Sequence, residues 1–122
     1  RRTVGVLTDA LAQAMAADHR TDEAVGLMRG QVAIREARWR KDLSQAEAGR
    51  DLAIAQASLG DVLADAHRRT EACAAYGQAL AVFERLQGDR RLTAFDRDRS
   101  YALLKGRAEP LCGRRPGAAY TP

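Results

Sequence analysis

The stretch LGDVLADAHRRTEACAAYGQA, Leu59 to Ala79, decides the fold. Leu59, Val62 and Leu63 recur at steps that line one face of a helix. A polar break follows, His67-Arg68-Arg69-Thr70, and Thr70 can cap the next helix. Ala72, Tyr76 and Ala79 then repeat at four- and three-residue steps on that second helix. Two antiparallel helices approach closely where both present small side chains. Gly60 and Ala72 supply that contact, and Leu59, Leu63 and Tyr76 fill the space between the helices. Ala79 leaves room for a following helix.

The chain repeats itself around this hairpin. His67-Arg68 and Glu71-Ala72 echo His19-Arg20 and Glu23-Ala24 at an offset of 48 residues. The same shift carries Arg2 onto Arg50, Leu11 onto Leu59, Ala16 onto Ala64, Ala33 onto Ala81 and Glu36 onto Glu84. A fixed period of this size is the signature of a helical array, which points to recognition rather than chemistry.

Leu59-Gly60, Leu63, Ala72, Tyr76 and Ala79, in that order and spacing, resemble a tetratricopeptide repeat. The upstream copy places Leu11-Ala12, Met15, Ala24, Met28 and Gln31 at the matching sites. The chain departs from the family in three ways. Gln56 stands where an early aromatic belongs, Glu84 stands where a closing proline belongs, and the period is 48 against roughly 34. It is similar to long-helix variants and to tandem repeats whose first helix opens as Arg50-Asp51-Leu52-Ala53 does. A third copy begins at Arg97-Asp98, with Tyr101, Leu103 and Leu104 on its first helix. The resemblance covers roughly residues 3 to 107. It implies an all-α fold of antiparallel helix-turn-helix repeats, stacked as a short right-handed solenoid. It also implies a parent among large bacterial signalling or regulatory proteins.

Working outward, Val4, Leu7, Leu11 and Met15 predict a first helix from Thr3 to Ala17. A second helix starts near Asp22, with Thr21 or Asp22 as cap, and carries Val25, Met28, Val32 and Trp39 towards the charged run Arg38 to Asp42. Ser44 and Glu47 predict a capping box for a third helix to about Ala66, with Leu52, Ala55, Leu59, Val62 and Leu63 inward. Gly49 weakens its first turn. The helix opened by Thr70 runs to about Leu86, with Gly88-Asp89 as its stop. Thr93 and Asp96 predict a weaker capping box opening a fifth helix near Ala94. These elements give a repeat domain over 1–108, about two and a half helix pairs. Pro110, Gly113, Pro116, Gly117 and Pro122 mark an irregular tail over 109–122.

Composition agrees. Alanine dominates the 46% hydrophobic fraction and aromatics are only 5%, which favours helices over strands. The 20 basic and 16 acidic residues give +4, but they interleave, as in Asp96-Arg97-Asp98-Arg99. A nucleic-acid footprint needs basic residues clustered on one face, so that reading is the weaker alternative. No apolar run approaches the length of a membrane span and no signal-peptide pattern occurs. Cys73 and Cys112 form no CxxC pair. A disulfide between them remains open, but a reduced, cytoplasmic chain is the simpler expectation. A chain that opens on Arg1 is expected to be a piece of a longer or processed protein.

No residue set points to catalysis or to a cofactor. His19 and His67 occupy equivalent turns, and no ligand cluster completes a zinc site around them. Asp96, Asp98 and Ser100 imitate the start of a calcium loop, but Tyr101 and Arg107 stand where glycine and glutamate are required. Cys73, among alanines, reads as packing. No phosphate loop, nucleophile elbow or carboxylate pair is present. The expectation is a non-enzyme that binds a protein or peptide and whose short array packs against further sequence of its parent or against another copy of itself, with a closed helical bundle holding a ligand or enzymatic pocket as the other alternative. Trp39 reads as a core anchor before a contact residue. Helical phasing places Ile54, Ala57, Asp61, Ala64 and Asp65 on the concave face of the central copy, with Val6, Asp9, Gln13, Ala16 and Ala17 matching upstream. Partner binding is expected at Val6, Asp9, Gln13, Ile54, Ala57, Asp61 and Asp65. That face is mildly acidic and suits a basic or amphipathic helical segment.

Overall fold

The structure is a computed structural model that describes residues 20–113. Three long helices follow one another: α1 over Thr21–Lys41, α2 over Ala46–Asp65 and α3 over Arg69–Gly88. After Thr93 the chain turns into a helix again, passes through a π-helical segment, Asp96–Tyr101, and continues as α4 over Ala102–Cys112. The described residues are all-helical, with no strand among them. α2 packs on α1 and on α3, and α4 packs on α3. The expected first helix, Thr3 to Ala17, lies outside the described residues.

α2 and α3 form the expected hairpin, but the nearest neighbour of Gly60 is Tyr76 and not the expected Ala72. Gly60 lies against the ring of Tyr76, and a Cβ there would come within 2.6 Å of two ring carbons. Leu59, Leu63, Ala72, Tyr76 and Ala79 are all buried. The largest fully buried side chains are Phe83, Leu63, Leu86 and Leu104, each contributing about 1.5–3 kcal/mol by burial. Gly49 has a use that its poor helix propensity conceals. The indole of Trp39 lies on it, so close that a Cβ would meet the ring at 2.8 Å. Trp39 is therefore a core residue, and the Arg85 guanidinium covers its ring at 5.7 Å.

The helix ends differ from the sequence expectations. Ser44 does not cap α2. Its amide and hydroxyl both donate to Asp42, whose carboxylate draws the 42–45 connection into a turn before Gln45, the N-cap. Asp42 titrates below the usual carboxylate range, chiefly because of that hydroxyl. Neither Thr21 nor Asp22 caps α1, and Thr70 does not cap α3; Arg20 and Arg68 hold the N-cap positions without a side-chain bond. Thr93 does accept from the Asp96 amide, at 3.1 Å.

The C-terminal ends of α2 and α3 share one solution. His67 and Arg90 take left-handed backbone, with φ of 62° and 58°. The amide of His67 bonds to the carbonyl of Ala64, and that of Arg68 to the carbonyl of Leu63. Arg90 and Arg91 repeat this with Gln87 and Leu86. Both are Schellman turns, which satisfy carbonyls the helix leaves unpaired. The repeated histidine at 67 is thus a turn residue.

Two further differences lie at the end of the described chain. α4 runs through Pro110 to Cys112, into the stretch expected to be irregular. The Arg69 side chain donates to the Leu111 carbonyl at 2.7 Å, satisfying one exposed end of that helix. Cys73 and Cys112 are joined in a disulfide, with Cα atoms 5.6 Å apart, against the expectation of reduced thiols. Packing α4 on α3 brings the end of one helix beside the first turns of the other, which a separation of 39 residues in sequence does not reveal.

Candidate functional site

The residues expected to form the partner-binding face divide into three groups. Val6, Asp9 and Gln13 lie outside the described residues, as do Ala16 and Ala17. Ile54 and Asp65 are exposed. Ala57 is buried, and Asp61 is occupied by contacts within the chain. One Asp61 oxygen accepts from the Tyr76 hydroxyl at 2.6 Å, and the other pairs with Arg107 of α4 at 2.8 Å. The acidity expected along this face is therefore partly neutralised, and α4 reaches over it. Burial, then the bond to Asp61, pushes the Tyr76 hydroxyl above the ordinary tyrosine range. Tyr101 is pushed up to about 12, first by burial and then by Glu84, to which it donates.

A more open concavity lies between α1 and α3. It is a groove of about 300 Å³. Arg29, Val32, Ala33 and Glu36 of α1 form one wall, and Glu71, Ala74, Ala75 and Gln78 of α3 form the other. Leu59 and Gln56 of α2 complete it from below. Its lining mixes apolar side chains with the amides of Gln56 and Gln78, two carboxylates and one guanidinium. Arg29 pairs with Glu71 at 3.2 Å, and Glu36 with Arg40 at 3.1 Å. All four side chains are substantially exposed, so each pair contributes at most about 1 kcal/mol.

Gln56 is the unusual member of this lining. It is 4% exposed, yet it is a primary amide inside a helix–helix interface. Its Nε2 donates to Gln78 Oε1 at 2.7 Å. Its Oε1 has no donor within the described residues. A buried amide oxygen without a partner costs on the order of 1–3 kcal/mol. The sequence carried a sign of this: the repeat register puts an aromatic, and hence a buried position, where Gln56 stands. That the groove forms beside Gln56 was not legible, because α1 and α3 are separated in sequence by the whole of α2.

A second groove, about 310 Å³, lies where α2 and α3 meet the chain after α3, with Arg50, Arg91, Phe95 and Asp96 among its residues. Its central polar group is already satisfied. Asp96, almost wholly buried, pairs with Arg50 at 2.7 Å and accepts from Ser100 at 2.9 Å. Of the acids that imitate a calcium loop, Asp96 serves packing, pointing inward to an arginine, and exposed Asp98 pairs with neighbouring Arg97. Among the described residues no group of three or more His, Cys, Asp or Glu side chains is arranged to hold a metal ion. No described helix is long and apolar enough to cross a membrane. Neither a protein-family model, nor a curated protein, nor a solved structure matches this chain.

Proposed function

We propose that this chain is a protein-interaction module of tetratricopeptide-like helix pairs, stacked as a short right-handed solenoid and used as a scaffold by a larger bacterial signalling or regulatory protein. One observation carries the reading: the Gly60–Tyr76 contact seats α2 on α3 at the positions where the repeat pattern calls for close approach. The order of packing, α1 on α2 and α2 on α3, supports it, because a solenoid builds from sequence neighbours. The open groove between α1 and α3 offers a surface on which a partner segment could lie. Cytoplasmic placement belongs to this proposal as well, and a persistent Cys73–Cys112 disulfide in cells would argue against it.

Nucleic-acid binding is the weaker reading because many of the arginines are engaged with acids. Arg29, Arg40, Arg50, Arg68, Arg85, Arg97 and Arg107 each pair with an aspartate or glutamate. A basic footprint needs free cations on one face.

Peptide display on the immobilised chain tests the proposal. Selection should enrich peptides that bind in solution at micromolar affinity. Failure to enrich any would overturn it, and salt-sensitive binding of DNA or RNA would then favour the nucleic-acid reading. Sedimentation at micromolar concentration tests self-association, which a stable monomer excludes.

A further inference from the structure

We propose that two copies of this chain associate about a two-fold axis by laying α1 antiparallel on α1 of the other copy, along the exposed line Glu23, Leu27, Gly30, Ile34, Ala37 and Lys41. The inference goes beyond the module reading, since it uses the repeat register but no peptide ligand.

The spacing comes first. These positions advance by four, three, four, three and four residues, the steps that keep one seam of a helix facing a partner helix. All of them are exposed. Leu27 and Ile34 are among the large apolar side chains that the described residues leave uncovered. Val25 and Trp39 are buried on the opposite side of α1, with Trp39 against Gly49 of α2. The seam therefore points away from α2.

The repeat shows that this line is suited to a helix. The offset of 48 carries Glu23, Leu27, Gly30, Ile34 and Ala37 onto Glu71, Ala75, Gln78, Val82 and Arg85. On α3 that line turns towards α1. Glu71 pairs with Arg29, Ala75 and Gln78 share the groove with α1, and Arg85 covers the ring of Trp39. Ala75 and Val82 are buried, whereas their larger counterparts Leu27 and Ile34 are not. α1 thus presents, uncovered, the face that α3 turns to another helix.

Self-complementarity decides the occupant. With the two helices antiparallel and Ile34 opposite Gly30, Leu27 falls opposite Ala37, so each large side chain meets a small residue. A Cβ built on Gly30 would meet nothing within 4 Å, which leaves room for Ile34 of the other copy. The same register sets Glu23 opposite Lys41, whereas parallel helices would bring like charges together at both ends. Among the described residues no acid pairs with Lys41, and Glu23 holds Arg20 only at 3.9 Å. Each contact is reciprocal, so one surface serves both copies, as a two-fold interface requires. One helix on one helix is a small interface, below about 1,200 Å², which suits a dissociation constant in the micromolar range.

Sedimentation equilibrium of the whole chain, from low to high micromolar concentration, tests the pairing. A reversible monomer–dimer equilibrium is expected. Ile34→Glu should weaken it at least about tenfold, a factor equivalent to about 1.4 kcal/mol. Gly30→Gln, at an open position inside a helix, should raise the melting temperature of the dilute chain yet weaken the dimer, because it fills the space for Ile34. It carries the test if Ile34→Glu does not fold. Glu23→Lys and Lys41→Glu should each weaken the dimer, and the double variant should restore it. Leu103→Glu, at an exposed apolar position on α4, should leave the dimer unchanged. A chain that stays monomeric, a dimer indifferent to Ile34→Glu or Gly30→Gln, equal weakening by Leu103→Glu, or charge swaps whose combination restores nothing overturns the proposal. If peptide display succeeds and the chain stays monomeric, this inference falls and the module reading stands. A dimer that responds as expected while display fails supports this inference and leaves the module reading to fall alone.

Discussion

α1 and α3 occupy equivalent places in the repeat, yet they are packed very differently. The offset of 48 aligns Ala24 with Ala72, Val25 with Cys73, Met28 with Tyr76, Gln31 with Ala79 and Ile34 with Val82. The first pair behaves alike, both alanines being fully enclosed. Further along the helices the copies part. Ile34 is 56% exposed and Val82 only 8%; Gln31 is exposed and Ala79 is buried. Among the described residues, α3 packs on α2 and on α4, whereas α1 packs on α2. Equivalent positions in a repeat therefore share helix geometry, while burial depends on how many neighbours each copy has. The difference also creates the groove: the chain of α1 facing α3 is short of large apolar residues, so the two helices leave a cleft instead of closing.

The sharpest way to break this comparison is at the core of α3. Phe83→Ala should cost about 3–5 kcal/mol by chemical denaturation. Ile34→Ala, on the exposed side of α1, should stay within about 0.5 kcal/mol. Similar losses at the two sites would mean that α1 is as deeply packed as α3.

The disulfide comes next, since α3 has Cys73 where α1 has Val25. Reduction, or a Cys73→Ala and Cys112→Ala double variant, should lower stability by about 2–4 kcal/mol, as expected for a closed loop of this length. The loss should appear as a lower melting temperature under reducing conditions. An unchanged melting curve, or free thiols on alkylation of the untreated protein, would remove the covalent distinction between the copies.

A smaller effect can turn one copy into the other. Gly60→Ala places a Cβ against the Tyr76 ring and should cost about 1–3 kcal/mol. The upstream copy has Ala12 and Met28 at these positions. Adding Tyr76→Met, with its flexible and slimmer side chain, should restore much of the loss. Non-additivity of this sign in a double-mutant cycle shows that the two residues are in contact. Strict additivity would place Gly60 and Tyr76 apart and the repeat register in error.

The smallest expected change is a gain. α1 ends in extended backbone at Asp42, but α2 turns back into α3 through left-handed His67. A non-glycine residue is disfavoured there by roughly 1–2 kcal/mol, and glycine gives back part of that as chain entropy in the unfolded state. His67→Gly should therefore raise stability by up to about 1 kcal/mol. Lower stability would mean that the imidazole makes a contribution beyond the turn.

Much of the helical layout was legible because its signals are local. Apolar spacing located α1, α2 and α3 within a few residues, and the repeat marked Gly60, Ala72 and Tyr76 as contact residues. The caps were less legible. Ser44 gives its amide and its hydroxyl to Asp42 instead of capping α2, and that outcome depends on where the chain must turn. The site was the least legible part. Phasing on a lone helix put Ala57 and Asp61 on an open face, but α4 lies near enough for Arg107 to claim Asp61. Gln56 looked like a departure from a pattern; only the structure shows it enclosed between helices with one amide oxygen unpaired.

The amino-acid sequence by itself determined an all-helical chain, the hairpin of α2 and α3, and the close contact at Gly60. These follow from side-chain size and periodicity, which act over a few residues. The tertiary structure decided the groove between α1 and α3, the Arg50–Asp96 pair, the Cys73–Cys112 bond and the engagement of Asp61. Each joins residues on elements far apart in the chain. Their meeting is set by how whole helices pack, and no local spacing encodes it.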